Sequence, residues 1–171
     1  MCSSDLVQNI SLPGLVNATN YVFSVNTIDA AGNNAGLALV TAMPGAAPDM
    51  PTSVTAAASD QSAIVIWSAP SNTGGFDIQS YDLIIHRSNG ADVLVNTGSS
   101  ATSYNATSLT NGVSYSFQVI ARTSFGISDT STLSNVVIPA GSPGTPTGVT
   151  AAPRNSALQI SFTAPTVTGG V

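Results

Sequence analysis

The chain contains no glutamate and no lysine. Its only cations are Arg87, Arg122 and Arg154, its acids are eight aspartates, and charged residues make up 6% of the 171. An ordinary globular protein carries roughly 25%. Each shortage excludes something. Glu and Lys favour helices and are depleted in strands, so their absence argues against a helical fold. A net charge of −5 without a basic cluster leaves no electrostatic footprint for nucleic acid or an anionic membrane surface. A single cysteine, Cys2, cannot build a disulfide framework. No apolar run approaches the roughly 18 residues that span a bilayer, so no membrane insertion is expected within this segment. Met1–Asn9 lacks the cationic start and apolar core of a signal peptide.

What remains is Ser, Thr, Asn, Val, Ile, Gly and Pro, the vocabulary of strands and turns. Hydrophobic residues reach 43%, too many for a disordered chain. Met1–Leu6 stands apart: Cys2-Ser-Ser-Asp-Leu6 reads as the translation of an adaptor sequence, an artefact, or as a disordered terminus.

The strongest signal is self-similarity. Pro51-Thr-Ser-Val-Thr-Ala-Ala57 returns as Pro146-Thr-Gly-Val-Thr-Ala-Ala152, an offset of 95 (146 against 51). The same offset links Trp67 to Phe162, Pro70 to Pro165, Gly74-Gly75 to Gly169-Gly170, and Pro44 and Pro48 to Pro139 and Pro143. Upstream, Leu15 and Tyr21-Val-Phe-Ser-Val25 match Leu109 and Tyr115-Ser-Phe-Gln-Val119 at an offset of 94 (115 against 21). One residue therefore differs between the blocks, most easily in a hairpin loop. A period this long is a whole domain rather than a solenoid unit.

Each unit reads as strands. Ala63-Ile-Val-Ile-Trp67 is uniformly apolar, but Leu158-Gln-Ile-Ser-Phe162 alternates and sets the register. Ala63, Val65 and Trp67 then face a core, and Ile64 and Ile66 face out. Tyr81, Leu83 and Ile85 point inward, with Asp82, Ile84 and His86 outward. Tyr115, Phe117, Val119 and Ala121 form another core face. Turn signals at Asn72–Gly75, Ser88–Gly90, Thr110–Gly112 and Ser124–Gly126 punctuate these runs. About seven short strands per unit predict a sandwich.

This pattern resembles the fibronectin type III module. Pro51 with Val54 matches its first strand, Trp67-Ser-Ala-Pro70 its strand B, Ile78 with Tyr81 the start of strand C, and Leu109, Tyr115 and Val119 its strand F. The Leu109–Tyr115 spacing, repeated by Leu15 and Tyr21, matches the tyrosine corner, in which the phenol hydroxyl bonds backbone at the E–F turn. The resemblance implies an all-β chain of tandem immunoglobulin-like (fibronectin type III) β-sandwiches, one complete and two partial. Residues 7–44 are expected to be the C-terminal part of one repeat (strands E, F and G), 51–139 a complete repeat, and 146–171 the N-terminal part of a third (strands A and B). Residues 45–50 and 140–145 are linkers, stiffened by prolines. The half-repeats lack an opposite sheet, and burying each large apolar side chain is worth roughly 1.5–3 kcal/mol. Neither end is expected to fold stably alone.

The chemistry-bearing residues have bland explanations. His86, the only histidine, has no Cys or second His to form a zinc site or triad. Asp77, Asp82 and Asp92 could lie near one another, but no Asp-x-Asp-x-Asp-Gly calcium loop exists, and solvated loop and strand positions account for them. Nothing places two carboxylates in a cleft. Ser68 and Ser124 lack a Gly-x-Ser-x-Gly setting. Gly74-Gly75 and Gly126 serve turns, since no phosphate loop is present. Trp67 is a core residue rather than a sugar platform. No Arg-Gly-Asp occurs in the Thr123–Asp129 loop, where Phe125 and Ile127 are either exposed or tucked against the sheet. Ile64 and Ile66 are a mild apolar excess that suits contact with a neighbouring module. Asn9, Asn17 and Asn105 satisfy the glycosylation pattern, relevant only to a eukaryotic source. No catalytic, cofactor or metal residues are therefore expected. The expected role is a non-catalytic structural, spacer or adhesive module of a larger extracellular or cell-surface protein, touching neighbouring repeats and a protein or polysaccharide partner. The alternative is an accessory region of a secreted enzyme such as a polysaccharide hydrolase, whose catalytic domain lies elsewhere.

Overall fold

The computed structural model describes residues 9–170; the expectation for Met1–Leu6 lies outside them. Among the described residues there are ten strands and no helix. A hairpin of β1 (Tyr21–Ile28) and β2 (Asn34–Ala42) comes first. A sandwich follows, built from β3 (Thr52–Ser59), β4 (Ser62–Ser68), β5 (Ser80–Arg87), β6 (Val93–Asn96), β7 (Ser103–Thr107) and β8 (Tyr115–Arg122). A second hairpin, β9 (Thr147–Arg154) and β10 (Ala157–Thr163), ends the chain.

The sandwich has two antiparallel sheets, β3-β4-β7 and β6-β5-β8. Alternation decides which side chains meet between them. Val65 opposes Tyr104 on the first sheet; Leu83 lies between Val95 and Val119 on the second. Val65, Leu83, Phe117 and Val119 are fully buried, and Trp67 and Tyr81 pack edge to face with ring centroids 5.1 Å apart. The sequence-derived core faces of β4, β5 and β8 are those observed, and Ile64 and Ile66 are half-exposed on the outside.

The chain after β8 departs from a regular strand. Ser128, Ser131 and Ser134 each donate their amide to the carbonyls of Ala121, Val119 and Phe117. The amides of those three β8 residues are received by the serine hydroxyls, at 2.8, 2.9 and 3.0 Å, and not by backbone carbonyls. Val137 then exchanges both backbone bonds with Tyr115. Three residues of this segment therefore pass for every two of β8, a run of consecutive bulges. Each bulge swings the local carbonyl off the ladder, and the hydroxyl replaces it as acceptor. Each hydroxyl in turn donates to the next residue's carbonyl.

The first hairpin solves the same problem differently. β2 pairs regularly with β1 from Tyr21–Ala42 to Asn26–Leu37, with one irregularity before Ile28–Asn34. Residues 127–137 oppose β8 where residues 34–42 oppose β1. The bulged form thus consumes two more residues, and its hairpin loop has one fewer. The single-residue difference between the blocks is the net of these, not a simple loop insertion.

The end hairpins otherwise copy the sandwich closely. Tyr21 hydroxyl accepts the Val16 amide at 3.0 Å, as Tyr115 hydroxyl accepts that of Thr110 at 3.0 Å; both tyrosine corners form. Gln61 and Ser156 turn with φ of 49° and 52°. The side chains that the sandwich buries are uncovered in the hairpins. Val25 is 61% exposed, Leu158 69% and Phe162 64%.

Candidate functional site: two matching junctions

The sequence places its densest punctuation, Pro44–Pro51 and Pro139–Pro146, between these three bodies, and the structure gives both stretches the same geometry. At the first junction the Ala18 amide donates to the Pro44 carbonyl (2.9 Å), Ala46 to Gly74 (3.3 Å) and Asp49 to Asn72 (2.9 Å). At the second, Gly112 donates to Pro139 (2.9 Å), Gly141 to Gly169 (2.7 Å) and Gly144 to Val167 (2.8 Å). Each bond recurs one period along. The linker is thus zipped to the Thr-Gly-Gly loop that follows it, Thr73–Gly75 or Thr168–Gly170, and that loop lies on the E–F turn of the preceding body.

Glycine is required in this loop for two reasons. Gly74 and Gly169 take φ of 70° and 80°, a left-handed backbone that side chains disfavour. A Cβ on Gly74 would collide with the Ala46 carbonyl, and one on Gly169 with the Gly141 carbonyl. Gly75 and Gly170 bring the loop against Asn17 and Asn111 respectively. The first junction has an addition. Phe76 and Phe125 stack with centroids 5.6 Å apart, and Gly45 of the linker lies against both rings. Phe125 therefore tucks onto the linker while remaining 51% exposed. Ile127 is exposed beside Arg122.

The residues singled out for chemistry are dispersed. Asp82 lies on the outer face of its sheet, as its register predicts, yet it is buried there. The Arg122 guanidinium (Nε at 2.6 Å) and Asn96 amide (2.6 Å) cover it, and the hydrogen bond from Arg122 holds its carboxyl below the usual aspartate range. His86 does not use Asp82. Its Nδ1 meets Asp92 at 2.9 Å and its Nε2 lies 2.9 Å from Gln118 Oε1. Asp82 and Asp92 thus serve different partners, and among the described residues no three His, Cys, Asp or Glu side chains converge on a metal-sized site. Trp67 is buried against Tyr81, so it offers no stacking platform. Asn105 is exposed on β7, and Asn17 sits in the first junction. Sequence reasoning missed the junction bonds and the Phe76–Phe125 stack. The repeated Thr-Gly-Gly was their visible signal.

The Fibronectin type III domain family matches residues 49–137, about half the chain. Among solved structures, a three-domain segment of titin superposes with a TM-score of 0.53 at 28% identity, covering 63% of this chain and 38% of that one. A three-domain segment of chicken CNTN1 gives 0.51 at 18% identity, covering 68% of this chain and 42% of that one. The latter supports the fold alone. The chain spans well under two thirds of either.

Proposed function

The chain belongs to the fibronectin type III family, and from that premise we propose that it is a non-catalytic spacer, part of a tandem array within a larger extracellular or cell-surface protein. The observation that carries this reading is the repeated junction. A fold held by its core needs no particular linker, yet both linkers make the same three backbone bonds, two to the loop that follows and one to the turn of the preceding body. Each bond is worth about 0.5–1.5 kcal/mol net, enough together to favour one inter-module angle. Such a device sets distance and orientation, which is what a spacer supplies. Nothing in it activates a nucleophile or orders a substrate.

Spin-label distances test this. With Cys2→Ser as background, labels at Thr41→Cys on the first hairpin and Asn105→Cys on the sandwich report the angle across the first junction. A narrow distance distribution is expected, broadened by Gly74→Val. An equally broad distribution in both forms refutes a fixed spacing.

A further inference from the structure

Two of the sandwich's turns carry an Asn-Gly pair, Asn89-Gly90 and Asn111-Gly112, and the structure gives the two pairs opposite surroundings. A glycine after an asparagine leaves the backbone free to fold back, so that the glycine nitrogen reaches the carbonyl carbon of the asparagine side chain. What holds those two groups decides whether they meet.

Asn111 is held at every atom involved. Its Oδ1 accepts the Gln61 amide at 2.9 Å, and its Nδ2 donates to Asp60 at 2.7 Å. The Gly112 amide donates to the Pro139 carbonyl at 2.9 Å. Gly170 of the following loop lies against both residues and covers them. Attack by the Gly112 nitrogen would break all three bonds.

Asn89 stands in the turn between β5 and β6. The Ser88 amide anchors that turn to the Ser114 carbonyl at 3.0 Å, whereas Asn89 and Gly90 are exposed. Among the described residues no group holds the Asn89 side chain. A cation lies beside the pair instead. Arg87 Nε is 2.8 Å from the place where a Cβ on Gly90 would stand, and a bond of 2.8 Å to the Ala91 carbonyl fixes it there.

We propose that Asn89 is a site of spontaneous deamidation, promoted by Arg87, and that the fold protects Asn111 from the same reaction. The Gly90 nitrogen gives up its proton and bonds to Asn89 Cγ. The oxyanion that forms on Oδ1 collapses, and the side-chain nitrogen leaves with the added proton as ammonia. The product is a five-membered succinimide. Water then opens it at either carbonyl, giving aspartate or isoaspartate. The Arg87 guanidinium favours the negative charge on the attacking nitrogen and on the oxyanion. The consequences differ as the protection does. A carboxylate at position 111 would face Asp60 and lose the bond between them. One at position 89 gains Arg87 as a neighbour, and isoaspartate there lengthens by one backbone carbon a turn that belongs to neither junction.

Peptide mapping by mass spectrometry of the full chain, aged in mildly alkaline buffer, tests this. Cleavage at Arg87 and Arg122 leaves both pairs in one peptide, so fragment ions compare them within the same molecules. In the folded protein Asn89 should convert faster than Asn111 by about ten- to a thousandfold, the effect of three hydrogen bonds of ordinary net strength. In concentrated urea the two should convert at closely similar rates. Arg87→Gln should slow Asn89 several-fold and leave Asn111 unchanged, and Asp60→Ala should speed Asn111 alone. Equal rates in the folded chain, or a faster Asn111, overturn the proposal. A preference for Asn89 that persists in urea overturns the part played by the fold, and an Arg87→Gln protein that ages like wild type overturns the part played by Arg87.

Discussion

Replacing Ser131 by alanine removes one oxygen from a surface that otherwise looks like an irregular, serine-rich tail. Ser131 is 2% exposed, and its hydroxyl accepts the amide of Val119 at 2.9 Å while donating to the Thr132 carbonyl at 2.9 Å. Val119 is fully buried. After Ser131→Ala, the Val119 amide has no acceptor and no water, a penalty of about 1–3 kcal/mol. The lost methylene-scale volume is negligible beside this, since Cβ remains. The chain cannot rescue the amide by sliding into a regular ladder. The neighbouring pairs, Phe117 with Ser134 and Ala121 with Ser128, hold the three-for-two register on both sides. Urea unfolding followed by Trp67 emission reads the change directly, as a lower midpoint with an unchanged slope. Leu133→Ser is the control. Leu133 lies in the same segment, is 56% exposed, and should shift stability by less than about 0.5 kcal/mol. A Ser131→Ala protein within a few tenths of wild type would refute the idea that serine hydroxyls complete this sheet edge.

Tyr115→Phe should cost about 1 kcal/mol in the same assay by freeing the Thr110 amide, whereas Tyr21→Phe should leave the Trp67 transition unmoved, because its corner lies outside the sandwich. Asp82 makes the sandwich acid-sensitive. Its folded pKa lies below the unfolded value near 3.8, so its contribution is fully present above that value and is lost as pH falls through the folded pKa. The stability gap between wild type and Asp82→Asn should be constant above about pH 5 and shrink below it; a gap unchanged down to pH 2 would show that the ion pair contributes no linkage. Amide exchange of the dilute chain should be slow in β4, β5 and β8 and fast in β1 and β10.

Which of these features a reader of the sequence can foresee follows from the range of the interaction behind each. The faces of β4, β5 and β8 follow from an alternation two residues long, and the ambiguous Ala63–Trp67 run was resolved by its polar-spaced counterpart Leu158–Phe162. The tyrosine corner spans five residues, so its spacing is legible too. The serine ladder is local in the chain but depends on a register between two segments. A period of three at Ser128, Ser131 and Ser134 carries no meaning until β8 lies alongside, although its absence from residues 34–42 marks the blocks as unlike. Asp82 was legible as outward and not as buried, because burial there comes from Arg122, forty residues away, folding over the sheet. The junction is the instructive case. Each of its bonds joins linker to loop across tens of residues, beyond any periodicity, yet a glycine pair with no room for Cβ had to repeat if the junction did. A repeated Gly-Gly between strands, with prolines repeated one linker away, is therefore a sign of a contact shared by successive modules and not merely of a flexible loop. That reading makes a strict demand on any module that follows in such an array. It must carry glycine where Gly74 and Gly169 stand, and a side chain there would break the angle while leaving the sandwich itself intact.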